Sequence, residues 1–129
     1  MEYKRKIFGY ECDIYGHLNN ANYLHLYEEA RAEALEKMNL SVEKLISLNL
    51  QIYITEISVQ YKKGIHSGTI VKIHTKIKKT SRVSSVWSQE IYDEKGELCS
   101  SAEIKGAFVS NGKPKRIDKG LYQHILSYI

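Results

Sequence analysis

The segment from residue 13 to residue 23 reads Asp-Ile-Tyr-Gly-His-Leu-Asn-Asn-Ala-Asn-Tyr and stands directly before the only long stretch with a helical pattern. It holds one carboxylate, one glycine, one histidine and three asparagines. A connection from a strand to a helix needs only one capping residue and one turn residue. The additional polar side chains of this motif segment therefore predict a functional site.

After the motif segment, apolar residues recur at steps of three and four, which is the pattern of a helix with one buried face. Asn19 or Asn20 is the expected N-cap of this helix. The first backbone N–H groups of a helix have no partners within it, and they lie at the positive end of its dipole. The helix start is therefore a place where a developing oxyanion can be stabilised. The apolar positions are Tyr23, Leu26, Tyr27, Ala30, Ala34 and Met38.

Asp13 lies a short loop upstream of these N–H groups. A carboxylate beside fixed N–H donors is the minimum equipment for hydrolysing an activated acyl group. The carboxylate attacks the carbonyl or activates water, and the donors stabilise the tetrahedral oxygen. The competing interpretation is that Asp13 only caps or braces the loop. His17 is likewise either a general base or a hydrogen-bonding brace.

The pattern Asp-x-x-Gly-His-x-Asn-Asn-x-x-Tyr, followed on the helix by Glu-Glu-Ala-Arg at residues 28–31, resembles the hotdog-fold acyl-CoA thioesterases of the 4-hydroxybenzoyl-CoA thioesterase type. The resemblance implies an α+β hotdog fold in which one antiparallel five-stranded sheet wraps around a central helix. It covers most of the chain, and we expect a single domain over residues 1–129. It also implies a homodimer or homotetramer with active sites at the interface between protomers.

By the same resemblance, Asp13 is the catalytic carboxylate and Asn20 supplies the backbone N–H that polarises the thioester carbonyl. The implied reaction is hydrolysis of an acyl thioester, carried on coenzyme A or acyl carrier protein, to a free acid and a thiol. Neither a metal nor another cofactor is implied. Asp13 acts as nucleophile or as general base, and a non-catalytic acyl- or lipid-binding hotdog protein is the alternative. The candidate site comprises Asp13, His17 and Asn20 as catalytic residues, with Gly16, Asn19 and Tyr23 as substrate-binding residues.

Some hotdog thioesterases carry their carboxylate on the central helix, so Glu28 and Glu29 form a competing acid site. Glu28 stands three residues before Arg31, and an ion pair on the helix surface would explain it. Glu33 is similarly placed four residues before Lys37. Glu29 meets a like charge at Glu33 instead, which makes it the acid least explained by a partner and a second choice for the site.

Composition is that of an ordinary globular protein, with 43% hydrophobic and 26% charged residues among 129. A chain of this length buries about two thirds of the surface that its unfolded form exposes. The two cysteines, Cys12 and Cys99, have neither a disulfide framework nor metal-ligand spacing. There is no N-terminal apolar run of signal-peptide length. We therefore expect a cytoplasmic protein without membrane insertion.

The net charge of +4 raises the possibility of a nucleic-acid partner. The lysines are spread over several segments, and no zinc-finger, helix-turn-helix or RNA-recognition pattern is present. We therefore expect no nucleic acid. The basic residues suit the phosphates of coenzyme A, which need about two or three cations. Lys79 and Arg82, in the turn after a strand with Lys72, His74, Lys76 and Lys78 on its solvent side, are the predicted contacts.

Strand patterns occupy most of the remaining chain. Between Leu50 and Tyr61 the apolar residues change parity at Thr55-Glu56, which predicts a β-bulge or a sharp bend. Pro114 is expected to block further strand pairing. The predicted elements are a first strand over Glu2–Tyr10, a short helix beginning at Ser41, strands over Leu50–Tyr61, Val71–Ile77, Val83–Tyr92 and Leu98–Phe108, and a helix or frayed tail over Leu121–Ile129.

Overall fold

A computed structural model describes all residues from 1 to 129. Six strands and three α-helices follow one another in the order predicted from the sequence. The two-residue strand near the C-terminus is an addition to the predicted set. The elements are β1 (Glu2–Lys6), α1 (Asn22–Lys37), α2 (Val42–Ser47), β2 (Gln51–Tyr61), β3 (Ile70–Thr80), β4 (Ser84–Tyr92), β5 (Leu98–Ser110), β6 (Lys113–Pro114) and α3 (Lys119–Leu126).

All strands belong to one antiparallel sheet with the order β1-β3-β4-β5-β2, and the two-residue β6 pairs with the end of β5. Short hairpin turns join β3 to β4 and β4 to β5, which requires these neighbours to be antiparallel. β2 lies at the edge opposite β1, and α1 and α2 connect these two strands in the chain. The expected five-stranded sheet is therefore present, with β6 as a short addition.

The buried face of α1 packs against the inner face of the sheet in one hydrophobic core. β3 shows how the sequence encodes that face, because buried and exposed residues alternate strictly from Val71 to Ile77. Four isoleucines from the core strands, Ile73, Ile77, Ile91 and Ile104, are almost fully removed from water. Tyr27, Ala30 and Ala34 meet them from the helix, as the three- and four-residue spacing predicts. The sheet thus wraps around one helix.

The predicted irregularity in β2 is confirmed. The register with β5 shifts between Ile54 and Glu56, so Thr55 is the extra residue of a bulge. Without the bulge, the residues from Ile57 onward would turn their apolar side chains to the opposite face of the sheet. β2 lies at the sheet edge, and several of its large apolar side chains remain exposed, namely Tyr53, Ile54, Ile57 and Tyr61.

Two predictions about strand ends are wrong, and of the two alternatives for the C-terminal segment the helix is confirmed. β1 ends at Lys6, because the chain turns into a short 3-10 helix over Gly9–Glu11. Pro114 does not end the pairing: it lies in β6, which pairs with β5 on one side only, and an edge strand tolerates a missing N–H. The pairing continues at Lys115, whose N–H donates to the Phe108 carbonyl at 2.9 Å. The C-terminal segment forms the helix α3, capped by Asp118, rather than a frayed tail. None of the helices has the length and apolarity needed to cross a membrane.

Candidate active site

The motif segment folds back on itself as a small hairpin between β1 and α1. The N–H of Asn19 donates to the Glu11 carbonyl at 3.0 Å, Cys12 and Leu18 form an isolated β-bridge, and the Asp13 N–H donates to the His17 carbonyl at 2.8 Å. Gly16 closes the tip with a φ of +79°, a left-handed conformation that glycine adopts without strain. The local sequence therefore brings Asp13 back beside the approach to the helix.

The carboxylate of Asp13 is half-buried and held by backbone donors of its own loop. Its Oδ1 accepts the N–H of Tyr15 at 2.9 Å and the N–H of His17 at 3.3 Å. No hydrogen bond in the structure uses Oδ2. One oxygen thus fixes the orientation of the carboxylate, and the other is free to act on a water or a carbonyl carbon.

Neither Asn19 nor Asn20 is the N-cap of α1, so that prediction is wrong. The helix begins at Asn22 and its N-cap is Ala21, which makes no side-chain capping bond. Asn19 instead forms an Asx turn one step earlier, in which its Oδ1 accepts the Ala21 N–H at 2.9 Å and its carbonyl accepts the Asn22 N–H. Because of this turn, the helix begins at Asn22, later in the chain than predicted.

Asn20 lies at the exposed corner of this turn. Its carbonyl accepts a hydrogen bond from the Tyr61 hydroxyl at 2.9 Å, and its backbone N–H has no partner. The N–H therefore lies ahead of α1, at the positive end of the helix dipole, and is available to a substrate oxygen. Tyr61 was not singled out by the sequence, since it reads there as one more apolar strand residue.

Two further predicted residues pack rather than face solvent. The His17 ring stacks edge-on against His66 at 4.6 Å between centroids, and a Cβ on Gly64 would come within 3.2 Å of it. No hydrogen bond involves the His17 imidazole, and His17 contacts Asp13 through its backbone only. Tyr23 is 3% exposed, and burial raises its pKa to about 12.

An ion-pair network anchors the hairpin to β1 and α1. The Arg5 guanidinium makes a bidentate contact with Glu11, at 2.6 and 2.7 Å, and its Nε donates to Glu29 Oε1 at 3.1 Å. Tyr3 donates its hydroxyl to the same Glu29 oxygen. Glu29 is therefore fully explained by partners, which corrects its description as the unpartnered acid. The signal was available in the sequence, since Tyr3, Arg5 and Ile7 share one parity and so face the helix.

The expected ion pairs along α1 are absent. Arg31 has no carboxylate within ion-pair distance and instead donates from Nη1 to Gln89 Oε1 at 2.9 Å. Burial lowers the pKa of the Arg31 guanidinium. The Lys37 ammonium donates to the Glu2 carbonyl rather than pairing with Glu33. Both cations prefer partners on the sheet because α1 lies against it.

Lys79 and Arg82 lie far from the motif hairpin of the same protomer. Ile70, at the start of β3, pairs with Lys6 close to the hairpin, whereas Lys79 is nine residues further along the strand. At about 3.3 Å per residue the separation is roughly 30 Å. Lys79 is exposed, and Arg82 is partly engaged because its Nε donates to the Ile117 carbonyl at 2.7 Å. Within one chain, the structure does not bring these two cations to Asp13.

The family model for the thioesterase superfamily matches residues 15–100 of the chain. The chain belongs to the thioesterase superfamily. The match covers the hairpin tip, α1 and the strands β2 to β4, and Asp13 lies two residues ahead of it. The prediction from the sequence that this protein is a thioester hydrolase is thus confirmed.

Similar proteins agree with this assignment. The long-chain acyl-CoA thioesterase FadM of Escherichia coli K12 is 29% identical over 105 residues, which is 81% of this chain and 79% of FadM. The acyl-CoA thioester hydrolase YbgC of E. coli O157:H7 is 24% identical over 118 residues, or 90% of this chain and 88% of YbgC. Among solved structures, the DHNA-CoA thioesterase of Staphylococcus aureus superposes with a TM-score of 0.90 at 28% identity, covering 98% of this chain and 87% of that one. The predicted hotdog fold is therefore confirmed for this superfamily member.

Removing the cation of the anchoring network should destabilise the protein. Arg5→Leu leaves the Glu11 carboxylate, 5% exposed, buried without a counter-charge, a situation that typically costs about 3–5 kcal/mol. We expect that loss in the free energy of unfolding, measured by urea denaturation at pH 7. As a control, Lys78→Leu breaks the exposed pair with Glu103 and should have little effect. Equal, small losses in the two variants would contradict the anchoring role of Arg5.

Proposed function

We propose that this superfamily member is an acyl-CoA thioesterase in which Asp13 is the catalytic carboxylate. The observation that carries the proposal is that one hydrogen-bonded segment contains two groups without partners, Asp13 Oδ2 and the backbone N–H of Asn20. The names of the relatives FadM and YbgC, and that of the staphylococcal DHNA-CoA thioesterase, support acyl-CoA as the substrate class. A single thioesterase domain over residues 1–129 would carry the reaction.

In the proposed reaction, the acyl carbonyl oxygen lies against the Asn20 N–H while its carbon is attacked. In one route Asp13 Oδ2 attacks, the C–S bond breaks, the thiolate leaves, and water hydrolyses the resulting mixed anhydride. In the other route Asp13 removes a proton from water as its oxygen attacks the same carbon, and the tetrahedral intermediate then breaks its C–S bond and releases the thiolate and the free acid. Both routes develop negative charge on the carbonyl oxygen, where one fixed donor is typically worth about a hundredfold or more in rate.

The other candidate residues have supporting roles in this proposal. Gly16 allows the left-handed conformation at the hairpin tip. His17 donates its backbone N–H to Asp13 Oδ1, and its ring packs against His66. Asn19 holds the peptide that follows Asn20. Tyr23 is buried and supports the site from the core. Its role toward the acyl group would be indirect, through its edge contact with Tyr61. We propose that the enzyme works in the cytoplasm, where free thiols such as Cys12 and Cys99 persist.

Asp13→Asn should abolish most hydrolysis while the fold stays intact. The substitution keeps the size of the side chain and an acceptor for the Tyr15 and His17 N–H groups, but it removes the negative charge needed for attack or proton transfer. The measurement is thiol release across a panel of acyl-CoA chain lengths, with circular dichroism as the folding check. Near-normal turnover in the folded variant would refute the role of Asp13. Absence of thiol release from the wild-type protein across the whole panel would favour the alternative of a non-catalytic acyl-binding protein.

The exposed edge strand supports a homodimer, alone or as half of a tetramer. β2 has unpaired backbone groups on one side and exposed apolar side chains such as Ile54 and Ile57. Such an edge associates unless it is covered. We expect a dimer or larger assembly by sedimentation at micromolar concentration, and Ile57→Lys should shift it toward monomer. Val83→Lys, at an exposed position in the β3–β4 turn, is the matched control. A monomeric wild-type protein would exclude this assembly.

Lys79 and Arg82 remain our proposed contacts for the nucleotide phosphates. Phosphate contacts are equal in the ground state and the transition state, so Lys79→Gln with Arg82→Gln should raise KM for acyl-CoA and leave kcat nearly unchanged. The effect should shrink as salt is added. A control with Lys44→Gln and Lys119→Gln removes two charges from α2 and α3. If KM at low salt matches that control, the phosphates bind elsewhere.

A further inference from the structure

Two consecutive peptide groups precede α1, and three of their four polar atoms are occupied. The Asn19 carbonyl accepts the Asn22 N–H at 2.9 Å, the Ala21 N–H donates to Asn19 Oδ1 at 2.9 Å, and the Asn20 carbonyl accepts the Tyr61 hydroxyl at 2.9 Å. Only the Asn20 N–H has no partner. The bonds on either side therefore fix the direction in which this one donor points.

Tyr61 is the only long-range contact among these three bonds. It is the last residue of β2, forty-one positions from Asn20, whereas the other two bonds lie within three residues of chain. Its ring meets Tyr23 edge-on, with 4.9 Å between centroids and 87° between planes. Since Tyr23 lies in the core, the Tyr61 hydroxyl is positioned by the body of the protein rather than by the loop.

The need to satisfy a buried hydroxyl does not explain this bond. Tyr61 is 51% exposed, so water could serve its O–H equally well at little cost. Tyr53, on the same strand and also 51% exposed, makes no side-chain hydrogen bond. The hydrogen bond to Asn20 is therefore not needed for stability, and another role can be sought for it.

We propose that Tyr61 is a positioning residue for catalysis. Its hydroxyl keeps the Asn20 N–H in the direction needed to donate to the oxyanion. This inference rests on the proposed function, in which that N–H stabilises the tetrahedral intermediate. Stabilisation of developing charge depends on donors that are already oriented before the reaction. The donor lies in the Asn19–Asn20 peptide, and the Tyr61 hydroxyl holds the next peptide, Asn20–Ala21, which shares the Asn20 Cα with it. Without the hydroxyl, the Asn20–Ala21 peptide gains freedom to rotate. The Asn20 Cα then moves with it, and the donor is correctly aligned for a smaller fraction of the time.

The decisive comparison is Tyr61→Phe against Tyr53→Phe. Each removes one hydroxyl from a half-exposed ring on β2, but only the first removes a hydrogen bond. For Tyr61→Phe we expect kcat for acyl-CoA hydrolysis to fall about tenfold with KM within twofold, because the donor acts on charge that exists only in the transition state. Tyr53→Phe should match the wild type in both constants.

Nuclear magnetic resonance gives a readout that does not depend on turnover. In Tyr61→Phe the ¹⁵N order parameter of the Asn20 amide should fall, while that of a helical amide such as Ala30 stays unchanged. Urea unfolding should give nearly equal midpoints for the two variants, since neither loses ring packing. A lower kcat together with a looser Asn20 amide is the expected result.

Other outcomes overturn the inference. If Tyr61→Phe has the wild-type kcat while Asp13→Asn is inactive, Tyr61 has no positioning role and the proposed function still stands. If Tyr61→Phe changes KM alone, the hydroxyl contacts substrate instead. If both tyrosine variants lose activity equally, the effect belongs to the strand or to assembly. If Asp13→Asn retains turnover, Asp13 is not the catalytic carboxylate and that part of the proposed function fails.

Discussion

The pairing of a buried carboxylate with one arginine holds this structure together at the place where its chemistry would occur. Glu11 is almost fully removed from water, and Arg5 is the only cation in contact with it. A lone charge at that depth is costly, so β1 and the turn that follows must remain together. The Glu11 carbonyl then accepts the Asn19 N–H and the Asn22 side-chain amide, at 3.0 and 2.8 Å. The same residue thus ties β1, the hairpin and the start of α1 into one unit.

This arrangement uses many of the backbone groups of the motif segment. Their hydrogen bonds set the hairpin and the Asx turn. Asp13 Oδ2, an acceptor, and the Asn20 N–H, a donor, take no part in these bonds and have no other partner in the protein. Such preorganisation suits chemistry in which charge moves onto a carbonyl oxygen.

The sheet contributes through its curvature and its edge. The bulge at Thr55 keeps the apolar residues on both halves of β2 on one face of the sheet, although their parity along the chain differs. It also lets β2 end at Tyr61 next to the helix start, where the hydroxyl reaches Asn20. A strand that is irregular in its middle therefore links the free edge of the sheet to the candidate site.

The sequence by itself determined the elements that depend on periodicity. The alternation in β3, the three- and four-residue spacing in α1 and the parity change in β2 each specify which face is buried, and burial of that face is the main driving force for folding. The motif pattern located the turn before α1, and the family resemblance singled out Asp13 and Asn20. The true start of α1 was not predicted, because Asn19 can bond the nearby backbone either as a cap or in an Asx turn, and it forms the Asx turn.

Only the tertiary structure decided which polar groups pair. Arg5 with Glu29, Arg31 with Gln89 and Tyr61 with Asn20 are separated by 24, 58 and 41 positions in the chain. The local rules for helix-surface charges predicted nearer partners for Arg31 and Lys37, and those pairs did not form. A solvent-exposed ion pair contributes little, so a partner on the sheet is preferred once packing brings it within reach. Partner choice therefore depends on how elements lie in space, which no single segment encodes.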